Sequence, residues 1–500
     1  MNKIFKNIAF AGIAVSLVAT GCKKEYLETA PTESVGAEEV FQSTDGAMVA
    51  LDGAIRTMYS SLTNHGNFGQ KSYDLVADLM GEDMVVHSQG YNWLNSEYNY
   101  SVFSNAQPDQ RPDRTWFYYY RIINNVNRIL VRLPEITGTD EAKSYLEGQC
   151  LALRAHSYYY LVNFFGQYGD SNSGVPMYLA PTSDGAPRSS VGDIYKQVYL
   201  DLERAETLLG TTRQHASHLN QSVVQGIYAR VALQHGDFDK ALSYATKAIA
   251  NSGKSLYTRT QYTAAAFNTI SAAEWMWGAE VNVEQATIFA SFYSHIDNRP
   301  AVGGYAALGG QKKITKALYD KIAADDIRKS LFQATPSTPM PIYAQLKFQL
   351  RTAGNWASDY LFMRLAEMYL IKAEAAARLG QNAVAIQTLE ELVKTRYSAY
   401  TATGLAGNAL LDEILVQRKI ELWGEGFGIL DVKRLGKGLN RPTGPGNHGG
   451  DNLNGNGANN FAHQVTTLPA RSNRWLFAIP QDEINANASL TMADQNPATD

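Results

Sequence analysis

Apolar side chains recur every three to four residues along much of the chain, which is the spacing that places them on one face of an α-helix. The helices that this pattern predicts span Phe41–Leu62, Thr115–Leu133, Asp140–Phe165, Val191–Leu209, Gln221–His235, Asp239–Ala250, Tyr360–Leu379, Ala383–Thr395 and Leu410–Leu422. Glycine or proline follows several of these ends, as is typical of helix termini. The segment Trp275–Trp277 alternates instead, and we expect a strand with one buried face there. The pattern predicts a mainly α protein with few short strands.

Two of the predicted helix pairs share a small internal repeat. It consists of Ala229, Gly236 and Ala241 in one copy and of Ala373, Gly380 and Ala385 in the other. The first alanine lets two helices approach closely, the glycine forms the turn, and the second alanine packs back against the first helix. The repeat therefore predicts tetratricopeptide-like helical hairpins that form a scaffold, with a long insertion between the two copies.

Three long segments lie outside the helical pattern, near residues 64–110, 252–341 and 440–460. Because helical hairpins are rigid and loops commonly carry recognition, we expect the function to reside in these insertions. The third insertion is rich in glycine and asparagine and has no apolar anchors, so we predict a mobile surface loop there. Its asparagine and aspartate side chains are potential calcium ligands, but their spacing does not match an EF-hand loop.

The N-terminal segment has the pattern of a lipoprotein signal peptide. Two lysines precede the apolar run Ile8–Val18, which is too short to cross a bilayer as a mature anchor. Three small residues then lead to Cys22, in an order that resembles the bacterial lipobox, whose cysteine becomes the acylated first residue of the mature protein. We predict that residues 1–21 are removed and that Cys22 carries lipid. An ordinary secretory signal with a chance cysteine is the alternative.

Composition narrows the class of protein further. The chain has 500 residues, of which 45% are hydrophobic and 18% charged, so it can bury a large core in one domain or two. A net charge of -4 gives no basic field of the kind that nucleic acid binding requires. Beyond the signal segment no apolar run approaches the roughly 20 residues that cross a membrane. Cys150, in an apolar run without a second mature cysteine, is predicted to be a buried thiol.

Two acidic groups raise the question of catalysis. Glu421 and Glu425 are four residues apart on one predicted helical face, and a second group lies within Asp78–Asp83, so a paired-carboxylate glycosidase is conceivable. The nearby Arg418 and Arg434 favour a structural ion-pair network at a helix end instead. The segment Asp78–Asp83 could equally be a helix terminus with solvated charge. We therefore favour binding over catalysis.

Other catalytic motifs do not occur in the sequence. The nine histidines form neither a His-Glu-x-x-His motif nor a Cys/His cluster, so a zinc site would lack ligands. A Gly-x-Ser-x-Gly nucleophile elbow is also missing, and the glycine pairs lack the context of a phosphate-binding loop. We expect no catalytic residue, no metal and no other cofactor.

Several segments resemble those of the SusD/RagB family of outer-membrane lipoproteins. They are Cys22–Pro31, Trp116–Leu130, Leu153–Gly166 with Val175–Pro176, Met363–Ala375, Gln417–Leu422 with Gly424–Gly426, Asp431–Arg434, Ile479–Asn485 and Gln495–Pro497. The resemblance therefore spans essentially the whole chain. It departs at Gln417 and Gly428, where the family usually has Glu and Arg, so we expect one internal ion pair of the family to be absent here.

The resemblance implies a lipid-anchored, non-catalytic protein on the outside of the outer membrane. Such a protein would bind an oligosaccharide or polysaccharide and pass it to a SusC-like TonB-dependent transporter that it caps. Residues 22–500 would form a single SusD-like domain. Two alternatives stay open: a tetratricopeptide-type outer-membrane protein that binds peptide or protein ligands, and a secreted helical glycosidase.

Sugar recognition needs aromatic faces that cover the apolar side of a sugar ring, together with groups that pair with its hydroxyls. The first insertion offers both in the alternating residues Tyr91, Asn92, Trp93, Asn95, Tyr98 and Asn99. The second insertion adds Tyr293, Arg299 and Tyr305, and Trp356 is a further candidate because its sequence context predicts exposure. For each of these residues, packing of the loop onto the scaffold is the competing interpretation. Trp423 and Trp475 are predicted to be core residues.

Overall fold

A computed structural model of the chain describes residues 40–88, 90–337, 340–449 and 465–500. The α-helices in these ranges are α1 (Thr44–Thr57), α2 (Gln70–Met80), α3 (Asn95–Tyr98), α4 (Arg111–Arg132), α5 (Asp140–Phe165), α6 (Val191–Leu208), α7 (Gln221–His235), α8 (Phe238–Asn251), α9 (Arg259–Ala264), α10 (Phe292–Ile296), α11 (Lys316–Tyr319), α12 (Leu365–Arg378), α13 (Asn382–Val393), α14 (Gly407–Glu421), α15 (Gly428–Arg434) and α16 (Gln481–Ala486). The predicted signal peptide and Cys22 lie outside the described residues.

The strands are short and form two-stranded sheets. They are β1 (Met84–Val86), β2 (Ser173–Pro176), β3 (Arg188–Ser190), β4 (Trp275–Ala279), β5 (Lys312–Ile314), β6 (Tyr360–Arg364), β7 (Leu439–Asn440), β8 (Thr443–Gly444), β9 (His448–Gly449) and β10 (Thr467–Leu468). The pairs β1–β5, β2–β3, β4–β6 and β7–β10 are antiparallel, and β8–β9 is parallel. The mainly α prediction is confirmed.

The two repeat copies form helical hairpins, α7 with α8 and α12 with α13. Gly236 and Gly380 make the turns with φ of +89° and +74°, a backbone conformation that glycine adopts without strain. The four alanines of the repeat are fully buried where the paired helices touch. Helix α8 also packs against α12, so the two copies are neighbours in space although a long insertion separates them in sequence. The tetratricopeptide-like prediction is confirmed.

The remaining long helices extend this stack. Helix α1 packs on α4, α4 on α5, α5 on α6, and α6 on α7. Helix α5 begins where the Thr139 hydroxyl accepts a hydrogen bond from the Ala142 N–H at 3.2 Å, which caps its first turn. Most of the buried apolar side chains form one large cluster that includes the fully buried Cys150, as predicted, and a second, smaller cluster packs α12, α13 and α14 together. Among the described helices, none has both the length and the apolar character to cross a membrane.

One predicted helix is in part a strand. The segment Tyr360–Arg364 forms β6, which pairs with β4, and helix α12 begins only at Leu365. All five strand residues are buried, including Arg364, so no exposed position marks the two-residue period of a strand. The strand at Trp275–Trp277 is confirmed, but both of its faces are buried rather than one.

Helix α2 lies inside the first insertion and escaped sequence analysis because every one of its residues is buried. Its polar residues, among them Lys71, Asp74 and Asp78, are buried like the apolar ones, so the sequence does not distinguish a core face from a solvent face. The segment Asp78–Asp83 does lie at a helix terminus, because α2 ends at Met80, but the side chain of Asp78 is not solvated as that interpretation required. Its carboxylate is buried and accepts hydrogen bonds from the N–H groups of Gly426 and Gly428 at 2.8 and 3.0 Å.

The acidic pair at the end of α14 belongs to a buried ion-pair network, as predicted. The Arg364 guanidinium contacts Glu274, Glu421 and Glu425, each at 2.7 Å. The predicted partners were different, because Arg418 and Arg434 pair with Asp431 and not with these glutamates.

The network includes Gln417, one of the two positions at which the resemblance implied that an ion pair of the family is absent. Gln417 Oε1 accepts a hydrogen bond from Arg328 at 2.6 Å, and Arg328 keeps its charge partner in Asp326. A neutral amide therefore fills the place of the family's glutamate. At Gly428, a side chain would meet the backbone of Ala77 and Asp78 at 2.9 and 3.0 Å.

The third insertion is anchored, in its described part, by polar side chains. Arg441 is buried and donates hydrogen bonds to the carbonyls of Gly81 and Tyr98 at 3.0 and 2.9 Å. His448 is buried too, and its Nε2 donates to the Glu82 carbonyl at 2.8 Å. The prediction of an unanchored loop is wrong here, because these anchors are charged or polar rather than apolar. Residues 450–460 of the predicted insertion lie outside the described residues.

Candidate functional site

The first two insertions meet through the pairing of β1 with β5. Met84 lies opposite Ile314 and Val86 opposite Lys312. The loop after β1 and the loop before β5 consequently run side by side. Their backbones approach so closely that a side-chain carbon on Gly90 would lie 2.8 Å from the Gly309 carbonyl carbon. This approach brings residues from distant parts of the sequence to one surface.

That surface carries a cluster of rings, which we call the aromatic surface: His65, Tyr91, Trp93, Phe289 and Tyr305. Tyr305 is central, with its ring centroid 5.5 Å from Tyr91, 5.6 Å from Trp93, 5.1 Å from Phe289 and 5.9 Å from His65. Tyr91 is 64% exposed and Phe289 37%, His65 is also exposed, and Trp93 and Tyr305 are half-buried. Large apolar rings are therefore presented to solvent side by side.

Hydrogen bonds hold the rings in place. His65 Nδ1 and the Tyr305 hydroxyl are 2.6 Å apart, and the Tyr305 N–H donates to the Ser294 hydroxyl at 3.1 Å. Beneath them, the buried His295 donates from Nε2 to the His65 carbonyl at 2.8 Å. Burial, followed by the charge of Lys312, lowers the pKa of His295 to about 3, so its imidazole is neutral at ordinary pH.

A polar cavity of about 190 Å³ adjoins the aromatic surface at Trp93, and we call it the Trp93 cavity. Its other lining residues are Asn64, Gly66, Asn92, Leu94, Ser96, Glu97, Val102, Gln110, Arg111 and Arg114. Arg111 is fixed there by hydrogen bonds to Glu97 at 2.8 Å and to the Gly66 carbonyl at 3.0 Å. The cavity thus places amide and guanidinium groups beside an aromatic face.

Of the residues predicted from sequence, the structure brings Tyr91, Asn92, Trp93 and Tyr305 together at this site. Asn92 is exposed and contacts Asn95, whose amide donates to the Asn92 side-chain oxygen at 2.9 Å. Asn95 itself is buried. It therefore positions Asn92 in the loop rather than facing a ligand.

The structure removes two tyrosines from the predicted contact set. Tyr98 is fully buried, and its hydroxyl donates to His448 Nδ1 at 2.7 Å. Tyr293 is also buried, and its hydroxyl donates to the carbonyls of Phe267 and Asp359 at 2.7 and 2.8 Å. Both rings pack the insertions onto the scaffold, which was the competing interpretation.

Two further candidates have structural partners. Trp356, predicted to be exposed, is only 8% exposed because its ring lies under Gly304. Arg299 is bound to the Asp297 carboxylate at 2.7 Å and to the Leu350 carbonyl at 2.9 Å. Trp423 and Trp475 are core residues, as predicted.

Sequence reasoning missed His65, Phe289 and Arg114. Phe289 had a usable signal, because it follows Ile288 in a segment of mostly small and polar residues, and both side chains are exposed. His65 and Arg114 had none, since their place at the site depends on the fold of the insertions.

Comparison with known proteins agrees with this architecture. A model of the SusD family matches residues 337–498, and a model described as starch-binding and associating with the outer membrane matches residues 25–233. The SusD-like protein P2 of Formosa agariphila is 23% identical over 478 residues, which cover 87% of this chain and 91% of the relative.

Solved structures show the same fold. A SusD-like carbohydrate binding protein from Bacteroides vulgatus superposes with a TM-score of 0.79 at 27% identity, over 91% of this chain and 98% of that one. Surface glycan-binding protein A from Bacteroides uniformis has a TM-score of 0.70 at 18% identity, over 91% and 99% of the two chains.

The fold and the site define a scaffold of helical hairpins that presents a composite aromatic surface on its insertions. Two SusD-type models together match residues 25–233 and 337–498, so the chain is similar to SusD-like proteins over most of its length, and the model that matches the N-terminal part is described as associating with the outer membrane.

Proposed function

We propose that this protein binds glycans at the aromatic surface. The observation that supports the proposal most directly is the exposure of neighbouring rings from separate insertions beside a polar cavity. Ring faces can cover the apolar C–H side of sugars, and the adjoining amides of Asn64 and Asn92 can replace the water that sugar hydroxyls lose. The name of the matching family model and the descriptions of similar structures point in the same direction.

We further propose that the mature chain is a lipoprotein anchored at Cys22 on the outer face of the outer membrane. The lipobox-like sequence and the outer-membrane association of the family support this proposal. An anchored single domain of residues 22–500 could capture oligosaccharide or polysaccharide and deliver it to a SusC-like TonB-dependent transporter beside it. Lipid tethering keeps the binding site close to the transporter while the body moves.

The proposed role is non-catalytic. One of the two acidic groups that raised the question of catalysis, Glu421 with Glu425, is buried within the arginine network. Arg396, Arg364 and Arg328 hold the pKa of Glu421 well below its ordinary value despite its burial. A glycosidase needs one carboxylic acid that is protonated and reaches the substrate, and this pair offers neither property.

A glycan screen tests the binding proposal. The full mature chain, purified from membranes in detergent, is compared with the double variant Tyr91→Ala/Trp93→Ala and with Leu200→Ala, which removes an exposed apolar side chain on α6. We expect glycan binding that the double variant weakens at least about tenfold, or about 1.4 kcal/mol, and that Leu200→Ala leaves unchanged. Binding that ignores the double substitution would place the site elsewhere, and binding of peptides but no glycan would favour the peptide-binding alternative.

A further inference from the structure

We propose that the Trp93 cavity is a subsite for the anionic group of an acidic sugar, which Arg114 binds through its guanidinium. The inference rests on the proposed glycan binding and adds the class of glycan: one with a carboxylate or a sulfate on the sugar unit that contacts Trp93.

The first argument is the isolation of the Arg114 side chain. It forms no hydrogen bond and no ion pair with any of the described residues, and its Nε is buried without an acceptor. Arg111, one turn earlier on α4, is by contrast engaged by Glu97, by the Ser72 hydroxyl and by the Gly66 carbonyl. Buried donors in proteins nearly always have an acceptor, so a ligand is the natural source of the missing one.

The second argument is the charge balance of the cavity. Glu97 pairs with Arg111 at 2.8 Å and cancels its charge, which leaves the charge of Arg114 without a close partner in the described part of the chain. Burial and then the charge of Arg111 lower the pKa of Arg114, and the charges of Glu97 and Asp109 only partly offset this effect. A partly buried cation without a partner is costly, and a bound anion would remove the cost.

The third argument is the position of the helix end. Helix α4 begins at Arg111, and its N-cap residue Gln110 makes no side-chain capping hydrogen bond. Both residues line the cavity together with Arg114. The N–H groups that remain free in this turn, which Pro112 does not add to, carry partial positive charge that attracts an anion, and the Asp113 carboxylate in the same turn reduces this attraction.

The ring of Trp93, which also lines the cavity, indicates that the bound anion is part of a sugar. Trp93 lines the cavity and is also part of the aromatic surface, so a sugar ring stacked on Trp93 has its substituents next to Arg114. At about 190 Å³ the cavity holds a substituent rather than a long chain. A planar guanidinium matches the two oxygens of a carboxylate or sulfate, and such charge-assisted hydrogen bonds are strong.

Calorimetric titration with matched ligands tests the inference. The ligands are a uronic-acid oligosaccharide, the same oligosaccharide after reduction of its carboxyl groups to neutral alcohols, and a sulfated form of that neutral chain. The full mature protein is compared with Arg114→Gln, Arg114→Lys and Arg128→Gln, the last of which removes an exposed charge from the same helix. Circular dichroism confirms that each variant is folded.

We expect the wild type to bind an acidic ligand at least about tenfold more tightly than its neutral form, with a preference that shrinks as salt is added. Arg114→Gln should abolish the preference, Arg114→Lys should retain part of it, and Arg128→Gln should retain all of it. Tighter binding of the uronate or of the sulfated chain identifies the source of the anion.

Two other outcomes separate this inference from the proposed function. Equal binding of acidic and neutral ligands, or a preference that survives Arg114→Gln, overturns the inference. The proposed function stands in that case if Trp93→Ala still weakens the neutral ligand. If the wild type binds none of the saccharides, including those of the glycan screen, the proposed function itself is overturned.

Discussion

Buried polar side chains, rather than apolar ones, fix the loops around the aromatic surface. Arg111 and Arg441 each reach across to backbone carbonyls of a different segment, and His295 does the same for the loop that carries His65. Backbone carbonyls in loops have no ladder partner, so a buried donor that satisfies them also fixes the course of the chain. This arrangement lets insertions without regular structure present their rings in a defined geometry.

Buried neutral histidines predict sensitivity to acid. Burial, followed by the charge of Arg230, lowers the pKa of His156 to about 3, whereas its ordinary value is 6.5. Below pH 6.5 the unfolded chain therefore binds a proton at His156, whereas the folded chain does not. The free energy of unfolding consequently falls as the pH decreases from 6.5 towards 3. Between pH 7 and pH 5 this effect lowers the free energy of unfolding by about 2 kcal/mol. In His156→Gln this part of the loss should be absent.

Urea unfolding of both proteins at the two pH values measures this difference. An equal loss of unfolding free energy in wild type and variant would show that His156 does not titrate as its burial requires.

The residues predicted to contact a ligand show what the local sequence can and cannot predict about a single side chain. Tyr91 and Tyr98 stand in the same insertion between the same kinds of neighbours, yet one is exposed and the other fully buried. Tyr98 is held in the interior by His448, whose Nδ1 accepts a hydrogen bond from the Tyr98 hydroxyl. These two residues are 350 positions apart in the sequence. Composition could therefore indicate the insertion but not choose between its aromatic residues.

At the scale of elements, the junction between β1 and β5 determines the site. Gly90 has a φ of +47° and lies against Gly309, whereas Gly253 has a φ of +60° with open space around it. Alanine at either position should cost about 1 kcal/mol through backbone strain. Gly90→Ala should in addition push the two loops apart and weaken glycan binding, and Gly253→Ala should leave binding unchanged. Titration of both variants with the glycan measures the contrast, and unaltered affinity in Gly90→Ala would contradict the role of this junction.

The buried ion-pair network joins β4, β6 and α14. Replacing Arg364 with methionine leaves Glu274, Glu421 and Glu425 with less compensation in a dry interior, so we expect a loss of about 3–5 kcal/mol of unfolding free energy. The matched control is Arg204→Met, which breaks a pair with Glu147 whose arginine side chain is 56% exposed. Such exposed pairs contribute about 0–1 kcal/mol. Denaturant unfolding compares the two variants, and similar small losses would mean that the network is not essential to stability.

Long helices were predictable where apolar residues recur at the helical period and a cap or a helix breaker marks the ends. The pattern predicted Asp140–Phe165, which is helix α5 as observed, and it placed most other long helices within a few residues. It missed α2 and misassigned β6, whose residues are all buried. In both segments polar side chains are buried as well as apolar ones, so polarity along the sequence does not report exposure, and the tertiary partners decide between helix and strand.

At the scale of the molecule, the scaffold and the site follow from different information. The repeat at Gly236 and Gly380 predicted the hairpins, because a helical turn has a local signature. The union of Trp93 with Tyr305 had no such signature, since it arises from the pairing of two short strands far apart in sequence. The candidate residues could be proposed from the sequence, but their assembly into one surface could not.

Anchoring and binding should be separable in the whole protein. The described residues contain the complete aromatic surface, and Cys22 lies outside them in sequence, before the scaffold. We therefore expect Cys22→Ser to lose retention in the outer membrane while its glycan affinity stays within about twofold of the wild type. Membrane fractionation and calorimetry measure the two properties. Reduced affinity in a folded Cys22→Ser protein would contradict the separation of anchor and site.

The central claim is that rings from two insertions form one glycan-binding surface. A double-mutant cycle of glycan binding with Trp93→Ala, Tyr305→Ala and the double variant tests it most directly. We predict that each single substitution weakens binding at least about tenfold and that the double variant loses clearly less than the sum of the two free-energy losses, because both rings serve the same sugar. Full affinity in either single variant would contradict the claim.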